Sequence, residues 1–278
     1  MKHKIESAIR ILRIAEKQAE QYAEPVEIAY SGGKDSDVLL QLARESGINY
    51  RAIYKNTTID PKGTIQHVRE NAVEIMQPKR SFFDIIKSKG YPSMFFRFCC
   101  SELKEYKILS VCCVGVRAEE SNKRKERYKT FEKCRVYSKS EKVHQYAPLY
   151  DWTLQDVKDY LTTRNVKLAP VYYNPDGTID FTRRLGCMGC PLQSDHGKAT
   201  FKNNPALLRA WIRSGQIYLN THTHTRTYKM FNGDAYGMFL NAVFCQQKGE
   251  YQFKMSKNLF GDPLSPREYL ENYFKVKL

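Results

Sequence analysis

The string SGGKDS at 31–36 places two glycines directly before a cation, an anion and a hydroxyl. The apolar run at 26–30 predicts a buried strand before it, and the apolar spacing at 37–44 predicts a helix after it. Glycines between a strand and a helix let the backbone turn tightly and bring its N–H groups close to an anion. The positive end of the helix, Lys34 and the two serine hydroxyls would add to that attraction. The string therefore predicts a phosphate-binding loop.

Asp35 has two candidate roles in such a loop, which are to hold a metal ion or to orient the backbone. The string matches neither the Gly-x-x-x-x-Gly-Lys-Ser/Thr pattern of Walker A loops nor the Gly-x-Gly-x-x-Gly pattern of dinucleotide-binding folds. An ordinary connection between a strand and a helix, without a ligand, is the alternative. The six-residue string directly after a strand favours phosphate binding.

Eight cysteines occur in the sequence, and two groups of them have the spacing of metal ligands. Cys187 and Cys190 form a Cys-x-x-Cys beside glycine and proline, where both thiolates can point to one side. Cys99 and Cys100 form an adjacent pair before a predicted helix. The two groups together supply four thiolates, the ligand number of a [4Fe–4S] cluster or a structural zinc ion. A redox dithiol is the alternative for the Cys-x-x-Cys.

The other cysteines are expected to be inert. Cys112 and Cys113 fall in the apolar string VCCVGV, which predicts a buried strand. Adjacent strand residues point to opposite faces, so these two thiols are not expected to share a metal ion. Small buried side chains are the better interpretation. Cys134 and Cys245 are also expected to be inert. Basic neighbours of Cys134 would, however, favour its thiolate form.

A basic segment at 121–135 interleaves its cations with Tyr128 and Phe131. Cations and aromatic rings together suit phosphate contacts and base stacking. The formal net charge of +15 also points to a polyanionic partner. Four cations in the first half of the segment are the expected nucleic-acid contacts: Lys123, Arg124, Lys125 and Arg127. A solvated loop is the alternative.

Strands and helices alternate over the first half of the chain, which predicts a parallel sheet with helices on both faces. The expected strands are 26–30, 50–54, 71–76 and 111–116, and the expected helices between them are 64–71, 82–89 and 101–109. Thr153, with Asp156 three residues later, predicts a helix start. Further helices are expected at 203–219, 233–245 and 265–274. We therefore expect an α/β, doubly wound, Rossmann-like domain at 1–192 and a mostly helical extension at 193–278.

No run of 18 apolar residues occurs, so no membrane-spanning segment is expected. The N-terminal residues repeat apolar side chains at helical spacing among charges, which predicts an amphipathic helix rather than a signal peptide. A cytoplasmic location is the resulting expectation. In that compartment cysteines are more often thiols or metal ligands than disulfides.

Four stretches together resemble the PP-loop adenine nucleotide alpha hydrolase superfamily, and within it the branch of phosphoadenosine phosphosulfate (PAPS) reductases and DndC-like proteins. The string SGGKDS is similar to the PP loop itself. The other three stretches are similar to segments of the reductase branch: FRFCCSELKEYK at 96–107, VGVRAEESNKR at 114–124 and PLYDWTLQDVKDYLTTRNVKLAPVYYN at 148–174. The resemblance extends over about 26–192.

This resemblance implies an adenine nucleotide at the loop. The residues expected at its phosphates are Ser31, Gly32, Gly33, Asp35 and Ser36. Those expected near the nucleoside or beside the nucleotide are Asn56, Thr57, Gly115 and Arg117. A guanidinium just after a central strand also agrees with where ligands bind in open α/β sheets, with a surface ion pair as its alternative. The candidate catalytic residues are Lys34, Asp35 and Arg117.

The family precedent of a Cys-Cys pair followed by a Cys-x-x-Cys implies a [4Fe–4S] cluster, with zinc as the alternative. Its ligands would be Cys99, Cys100, Cys187 and Cys190.

Two activities agree with the resemblance. One is cleavage of ATP with Mg²⁺, followed by sulfur transfer to a nucleic acid from a sulfur-donor protein. The other is reduction of a sulfonucleotide, PAPS or adenylyl sulfate, to sulfite. Reductases of this branch resemble one another in a C-terminal Glu-Cys-Gly-Leu-His motif, and Cys245 in VFCQQKGE does not match it. The ATP-dependent activity is therefore preferred, and a nucleic-acid-binding protein without catalysis is a third interpretation.

Overall fold

The computed structural model describes residues 1–127, 132–138, 141–244 and 264–278. These residues form two compact units. The first contains Met1–Asn56, Asp60–Gln77 and Lys104–Gly186, and the second contains Thr57–Ile59, Pro78–Leu103 and Cys187–Leu278. The second unit thus includes two pieces from the first half of the chain. The division at 192 drawn from the sequence stays a prediction about domains.

A six-stranded sheet organises the first unit. Its strands are β1 (Val26–Tyr30), β2 (Tyr50–Lys55), β3 (Glu74–Met76), β4 (Val111–Val114), β5 (Glu132–Ser138) and β6 (Glu141–Tyr146). They lie in the order β3-β2-β1-β4-β6-β5, and every neighbouring pair is parallel except the β5–β6 hairpin. The strand order reverses between β1 and β4. In open α/β sheets, ligands bind beyond the carboxyl ends of the strands at such a switch point.

Twelve α-helices occur in the described residues. They are α1 (Lys2–Glu20), α2 (Lys34–Ser46), α3 (Thr64–Glu70), α4 (Phe82–Lys89), α5 (Phe98–Leu103), α6 (Asn122–Arg127), α7 (Leu154–Thr163), α8 (Lys198–Asn203), α9 (Pro205–Thr221), α10 (Arg226–Phe231), α11 (Ala235–Phe244) and α12 (Pro266–Phe274). Two short 3-10 helices lie at Ala118–Glu120 and Pro170–Tyr172. None of the described helices is long and apolar enough to cross a lipid bilayer.

The main core of the first unit lies where α1, α2 and α7 pack on β1 and β4. Alternate residues of a strand share one face. The core side chains of the two strands include Val26, Ile28, Val111 and Cys113, and they pack with Leu12, Leu39 and Val157 from the three helices. Fully burying one such aliphatic side chain stabilises a fold by about 1.5–3 kcal/mol. This packing fixes the position of α2, and therefore of the loop before it, at the carboxyl end of β1.

A capping box begins α7, as the sequence predicts. The Thr153 hydroxyl accepts a hydrogen bond from the Asp156 N–H at 3.1 Å, and the Asp156 carboxylate accepts one from the Thr153 N–H at 2.7 Å. Lys4 of α1 also forms an ion pair with Asp156. Partial burial raises the pKa of Asp156, but the hydrogen bonds from Lys4 and Thr153 outweigh it and lower the pKa to about 2. One carboxylate thus joins the starts of two helices.

Aromatic side chains dominate the core of the second unit. Trp211 of α9 is 1% exposed and packs against Phe82, Phe201 and Tyr91, with ring centroids 5.2 to 5.7 Å apart. Phe239 of α11 adds edge-on contacts to Phe201 and Trp211. Pairs of this geometry contribute about 0.5–1.5 kcal/mol beyond the area they bury. The second unit is therefore helical, with a core separate from that of the sheet.

The fold class expected from the sequence is confirmed. Strand β1 has the predicted bounds, and the last third of the chain is helical where it is described. The helix expected at 101–109 is wrong, because the observed helix is Phe98–Leu103. After it, the Leu109 N–H donates to Glu27 and the Ser110 N–H donates to Glu24, so these backbone donors are not free to continue a helix.

The β5–β6 hairpin was not expected from the sequence. Its first strand falls in the basic segment, where cations and carboxylates obscure any alternation of apolar side chains. Backbone hydrogen bonds join β5 antiparallel to β6, and only β6 has a parallel neighbour, β4. A polar strand is stable at this position because an edge strand needs a partner on one side only.

Candidate nucleotide site and cysteine group

The loop at 31–36 connects the carboxyl end of β1 to the first turn of α2. Gly32 has a φ of +75°, a conformation that costs little only for glycine. The Ser36 hydroxyl accepts a hydrogen bond from the Ser31 N–H at 3.2 Å and donates one to the Gly33 carbonyl at 2.7 Å. The turn is thus closed on itself by one buried hydroxyl.

Gly33 precedes α2 and offers no side chain to cap its first turn. The N–H groups at the start of a helix have no partner within the helix, and they carry the positive end of its dipole. The Asp37 N–H bonds to the Gly33 carbonyl, and the Lys34 N–H donates to the Tyr172 hydroxyl at 3.1 Å. These two N–H groups are thus paired within the unit, and the positive end of the α2 dipole lies at the carboxyl end of β1, where it would favour a phosphate.

Asp35 lies between two cations. Its Oδ1 is 2.6 Å from Arg117 Nε, and its Oδ2 is 3.4 Å from Lys34 Nζ. Arg117 is 4% exposed and also forms an ion pair with Glu119. Burial lowers the pKa of Arg117, but the Asp35 and Glu119 carboxylates outweigh it, so the pKa of Arg117 is raised. Both oxygens of Asp35 are engaged by cations, which favours the orienting role for this carboxylate.

Gly115 allows the end of β4 to approach the first turn of α2. A Cβ at Gly115 would lie 3.0 Å from the Asp35 carbonyl oxygen and 3.3 Å from the Ser36 nitrogen. Both atoms belong to backbone and cannot swing away as a flexible side chain could. The absence of a side chain at Gly115 therefore allows the close spacing between the end of β4 and the first turn of α2.

These elements enclose a cavity of about 320 Å³ at the switch point. Its volume is in the range of small-molecule sites, which is about 300–1,000 Å³. The lining residues from the loop and from β4 are Ala29, Ser31, Gly33, Lys34, Asp35, Ser36, Val114, Gly115 and Val116. The remaining lining residues are Glu120, Tyr172, Arg184 and Leu185. The structure thus brings most of the predicted phosphate residues to one cavity.

Three predicted nucleotide residues have other partners in the structure. Arg117 forms an ion pair with Asp35 but is not itself one of the residues that line the cavity. The Asn56 side chain donates to Gln77 at 2.8 Å. Thr57 belongs to the second unit, is 1% exposed, and its hydroxyl accepts a hydrogen bond from the Ile59 N–H at 3.4 Å. The nucleoside contacts of Asn56 and Thr57 stay predictions.

Tyr172 and Arg184 line the cavity without having been identified from the sequence. Both lie more than 130 residues after the loop, and no local motif marks either of them. The available signal was that Tyr172 falls in the string PVYYN, at the end of the last segment that resembles the reductase branch.

A buried polar network anchors α2 to α3 behind the loop. The Tyr30 hydroxyl donates to Asp37 at 2.5 Å, and His67 Nε2 lies 3.0 Å from the same carboxylate. All three residues are at most 3% exposed. Burial raises the pKa of Asp37 despite these two hydrogen bonds. The network is a second feature that the sequence did not indicate.

The four predicted metal ligands all belong to the second unit. A hydrogen bond with Cys100 raises the pKa of the Cys99 thiol, and so do burial and the proximity of Cys100, Cys187 and Cys190. Such effects on Cys99 require the other three thiols to be near it, although 86 residues separate Cys100 from Cys187 in the sequence. The fold therefore brings Cys100, Cys187 and Cys190 near Cys99 within the second unit.

The Cys-x-x-Cys loop is tightly packed. Gly189 has a φ of +71°, and a Cβ there would lie 2.5 Å from the Phe201 ring. The Met188 N–H donates to the Ile59 carbonyl at 2.8 Å, and the Cys187 thiol donates to the Thr57 hydroxyl at 3.6 Å. These contacts hold the loop in place within its unit.

Among the residues that the structure describes, no three or more His, Cys, Asp or Glu side chains are arranged around a common metal position. The donor set itself fits a metal, because four thiols are ligands that zinc and iron–sulfur clusters prefer, and a bound cation would offset the repulsion that raises the pKa of Cys99. Ligation by Cys99, Cys100, Cys187 and Cys190 stays a prediction.

The remaining cysteines agree with their sequence interpretation where they are described. Cys112 and Cys113 lie in β4, are 5% and 0% exposed, and have pKa values raised by burial. Cys134 is exposed in β5. Cys245 lies outside the described residues.

The predicted nucleic-acid contacts fall on α6. Its backbone is helical over Asn122–Arg127, and the Lys125 side chain is exposed. The side chains of Lys123, Arg124 and Arg127 lie outside the described part of the chain, as do Tyr128 and Phe131. These contacts stay a prediction.

Comparison with known proteins decides the family. The phosphoadenosine phosphosulfate reductase domain matches residues 25–193. The chain belongs to this PAPS reductase domain family. The PP-loop resemblance inferred from the sequence is thereby confirmed.

Two curated relatives of this PAPS reductase domain protein come from Methanocaldococcus jannaschii. Uncharacterized protein MJ0973 is 27% identical over 201 residues, covering 67% of this chain and 46% of the relative. Uncharacterized protein MJ0066 is 24% identical over 220 residues, covering 73% of this chain and 44% of the relative. The chain therefore spans less than half the length of either relative.

Solved structures of similar chains include two from Candida species. Phosphoadenylyl-sulfate reductase from Candida auris, in a phosphate complex, has a TM-score of 0.44 and 19% identity, covering 63% of this chain and 87% of that one. FMN adenylyltransferase from Candida glabrata has a TM-score of 0.43 and 15% identity, covering 61% of this chain and 57% of that one.

The first prediction concerns the close approach at Gly115. We expect Gly115→Ala to weaken ATP binding about tenfold, because overpacking strain of about 1–3 kcal/mol would fall on the loop backbone. Isothermal titration calorimetry would measure the affinity. Gly186→Ala is the matched control, since a Cβ there meets no atom within 4 Å. Equal affinities of the two variants would contradict the prediction.

Proposed function

We propose that this PAPS reductase domain protein cleaves ATP between the α and β phosphates and transfers sulfur to a nucleic acid. The observation that carries the proposal is the loop at 31–36. It lines a cavity at the switch point of the sheet, and its Lys34 and Asp35 are held by a buried ion-pair network. A polyphosphate is the ligand that backbone donors and cations at such a place attract.

The proposed reaction has two balanced steps. An oxygen of the nucleic acid attacks the α phosphorus, the bond from that phosphorus to the bridging oxygen breaks, and pyrophosphate leaves. A sulfide-level sulfur from a donor protein then displaces AMP from the activated position. Negative charge develops on the departing pyrophosphate, where the loop N–H groups and Lys34 would stabilise it. Mg²⁺ bound to ATP would neutralise part of the same charge.

Arg117 would act through Asp35 in this mechanism. The guanidinium balances the Asp35 carboxylate at 2.6 Å. Without that balance, an unpaired negative charge would lie beside the phosphates and oppose their binding. Arg117 is therefore a positioning residue, whereas Lys34 is in the cavity lining and is the candidate catalytic cation.

A sulfonucleotide reductase is the second candidate, and the family membership favours it. That reaction needs a cysteine nucleophile to take the sulfur from the nucleotide. Among the described residues lining the cavity in the first unit, none is a cysteine. Within the 278 residues, the sequence around Cys245 also differs from the reductase motif. These two observations support the ATP-dependent activity over the reductase.

The cysteine group is the proposed site of a [4Fe–4S] cluster, with zinc as the alternative. Cys99, Cys100, Cys187 and Cys190 would hold it. A bound cluster would supply the Lewis-acid and redox chemistry of its iron. The thiols themselves would hold the Cys-x-x-Cys loop and the Cys-Cys pair together, since ligation couples metal binding to folding.

The second prediction tests the reaction. Purified protein should release pyrophosphate from ATP when nucleic acid and a sulfide source are present, measured by a coupled phosphate assay. Arg117→Gln should lower the rate at least about 100-fold, because it leaves the Asp35 carboxylate without its charge partner beside the phosphates, and such a loss costs about 3–5 kcal/mol. Arg51→Gln, which breaks an exposed ion pair with Glu74, is the control, because such pairs contribute about 0–1 kcal/mol.

Sulfite release gives the opposing outcome. If PAPS or adenylyl sulfate yields sulfite with a thiol reductant, and ATP yields no pyrophosphate, the reductase activity replaces the ATP-dependent one. Nucleic-acid binding with neither product would support the non-catalytic interpretation.

The third prediction concerns the metal. Protein purified without oxygen should be brown and contain about four irons per chain. Cys187→Ser should lose the iron and the visible absorbance, whereas Cys134→Ser, an exposed cysteine in β5, should keep both. One zinc and no iron in the native chain would place a structural zinc ion at the group instead.

The fourth prediction concerns the basic segment. Replacing Lys123, Arg124, Lys125 and Arg127 by glutamine should flatten the slope of log affinity for nucleic acid against log salt by roughly three units. Fluorescence anisotropy would measure the slope. The control removes four exposed cations elsewhere, at Lys62, Lys158, Lys202 and Arg213. Equal slopes for the two variants would show that only net charge matters.

A further inference from the structure

The hydroxyl of Tyr172 lies at the nucleotide cavity. Tyr172 ends the 3-10 helix at Pro170–Tyr172, is 1% exposed and lies in the cavity lining. Its oxygen accepts a hydrogen bond from the Lys34 N–H at 3.1 Å. A phenol oxygen accepts with its lone pairs and donates one hydrogen. The accepted bond therefore leaves the O–H to be satisfied.

That O–H has no acceptor among the residues that the structure describes. The carboxylates of Asp35 and Asp37 are near enough to affect Tyr172 electrostatically, but neither forms a hydrogen bond with it. A buried hydroxyl whose donor stays unpaired destabilises the folded state. The cost is removed if a ligand in the cavity accepts the hydrogen.

Local packing holds the hydroxyl over the loop. A Cβ at Gly33 would lie 3.3 Å from the Tyr172 oxygen, so glycine at that position allows the approach. The Lys34 ammonium lies 5.7 Å from the centre of the Tyr172 ring, close enough for a cation–π contact. The ring, the loop and the helix start are thereby fixed relative to one another.

We propose that the Tyr172 hydroxyl donates a hydrogen bond to the phosphate chain of the nucleotide held by the loop at 31–36. The assignment rests on the proposed nucleotide-binding function and adds to it a neutral donor that directly contacts the ligand. The bond accepted from the Lys34 N–H positions the hydroxyl, and its hydrogen is left to point to a phosphate oxygen. A bond from a neutral donor to a charged phosphate is stronger than one between neutral groups.

The hydroxyl stays protonated in the range where nucleotides bind. Burial raises the pKa of Tyr172 to about 12, with Asp35 and Asp37 adding to the rise and the Lys34 and Leu185 N–H groups opposing it. The Lys34 ammonium and the Tyr30 hydroxyl are the other titratable groups beside it. The native chain should thus keep this donor at neutral and mildly alkaline pH.

The first test compares ligands with and without phosphate, using Tyr172→Phe and calorimetry with ATP, AMP and adenosine. Loss of a hydrogen bond to a charged group should weaken ATP binding at least about tenfold. Adenosine affinity should change by less than about twofold, because no phosphate is present to lose a donor. Tyr160→Phe is the control, since Tyr160 is also buried and donates to Glu45 away from the cavity.

The second test asks whether the Tyr172 hydroxyl donates to the ligand or only accepts a hydrogen bond from the loop backbone. A fluorinated tyrosine incorporated at 172 keeps the oxygen but makes the phenol more acidic. Its ATP affinity should fall as pH rises through the lowered pKa, while the native chain and a chain fluorinated at Tyr160 show no such fall. A phenolate can still accept from a backbone N–H but can no longer donate, so a flat profile would show that the phenol hydrogen makes no contact with the phosphates.

The outcomes separate this assignment from the proposed function. ATP binding by the native chain that Tyr172→Phe leaves intact would overturn the assignment alone. An equal loss for ATP and adenosine, or a flat pH profile in the fluorinated chain, would also overturn it. Failure of the native chain to bind ATP, AMP, PAPS or adenylyl sulfate would overturn the proposed function and this assignment together.

Discussion

The buried charge pairing around Asp35 is the interaction on which the nucleotide site depends. One carboxylate is bound by Arg117 from the end of β4 and by Lys34 from the same helix turn. Removing one partner of a buried pair leaves an uncompensated charge and destabilises a protein by about 3–5 kcal/mol. The loop, the helix start and the central strand are therefore coupled, and none can shift without the others.

The backbone spacing around this pairing is set by residues without side chains. Gly32 supplies a left-handed turn, and Gly115 lets β4 approach the Asp35 carbonyl. Tyr172 then accepts the first N–H of α2. Together they produce a cavity whose polar lining is fixed before any ligand arrives. Preorganised donors of this kind stabilise developing charge without the cost of reorganising during the reaction.

The second unit positions the cysteine group rather than the nucleotide loop. Its aromatic core holds a Cys-x-x-Cys loop, whose Gly189 packs directly on Phe201. The thiols near one another raise the pKa of Cys99, which makes an empty all-thiolate arrangement unfavourable near neutral pH. A cation bound at the cysteine group would instead favour the thiolate forms. The unit is thus suited to keep reactive sulfur atoms in a defined place.

The sequence determined the features that depend on local chemistry. The strand at 26–30, the loop at 31–36, the capping box at Thr153 and the order of the four candidate cysteine ligands could all be read from neighbouring residues. Only the tertiary structure decided which distant groups meet. Tyr172 reaches the Lys34 N–H across 138 residues, and Arg117 neutralises Asp35 across 82. It also decided that the polar segment at 132–138 is an edge strand, because strand formation depends strongly on the tertiary context, here the pairing with β6, and a segment's own residues do not show that context.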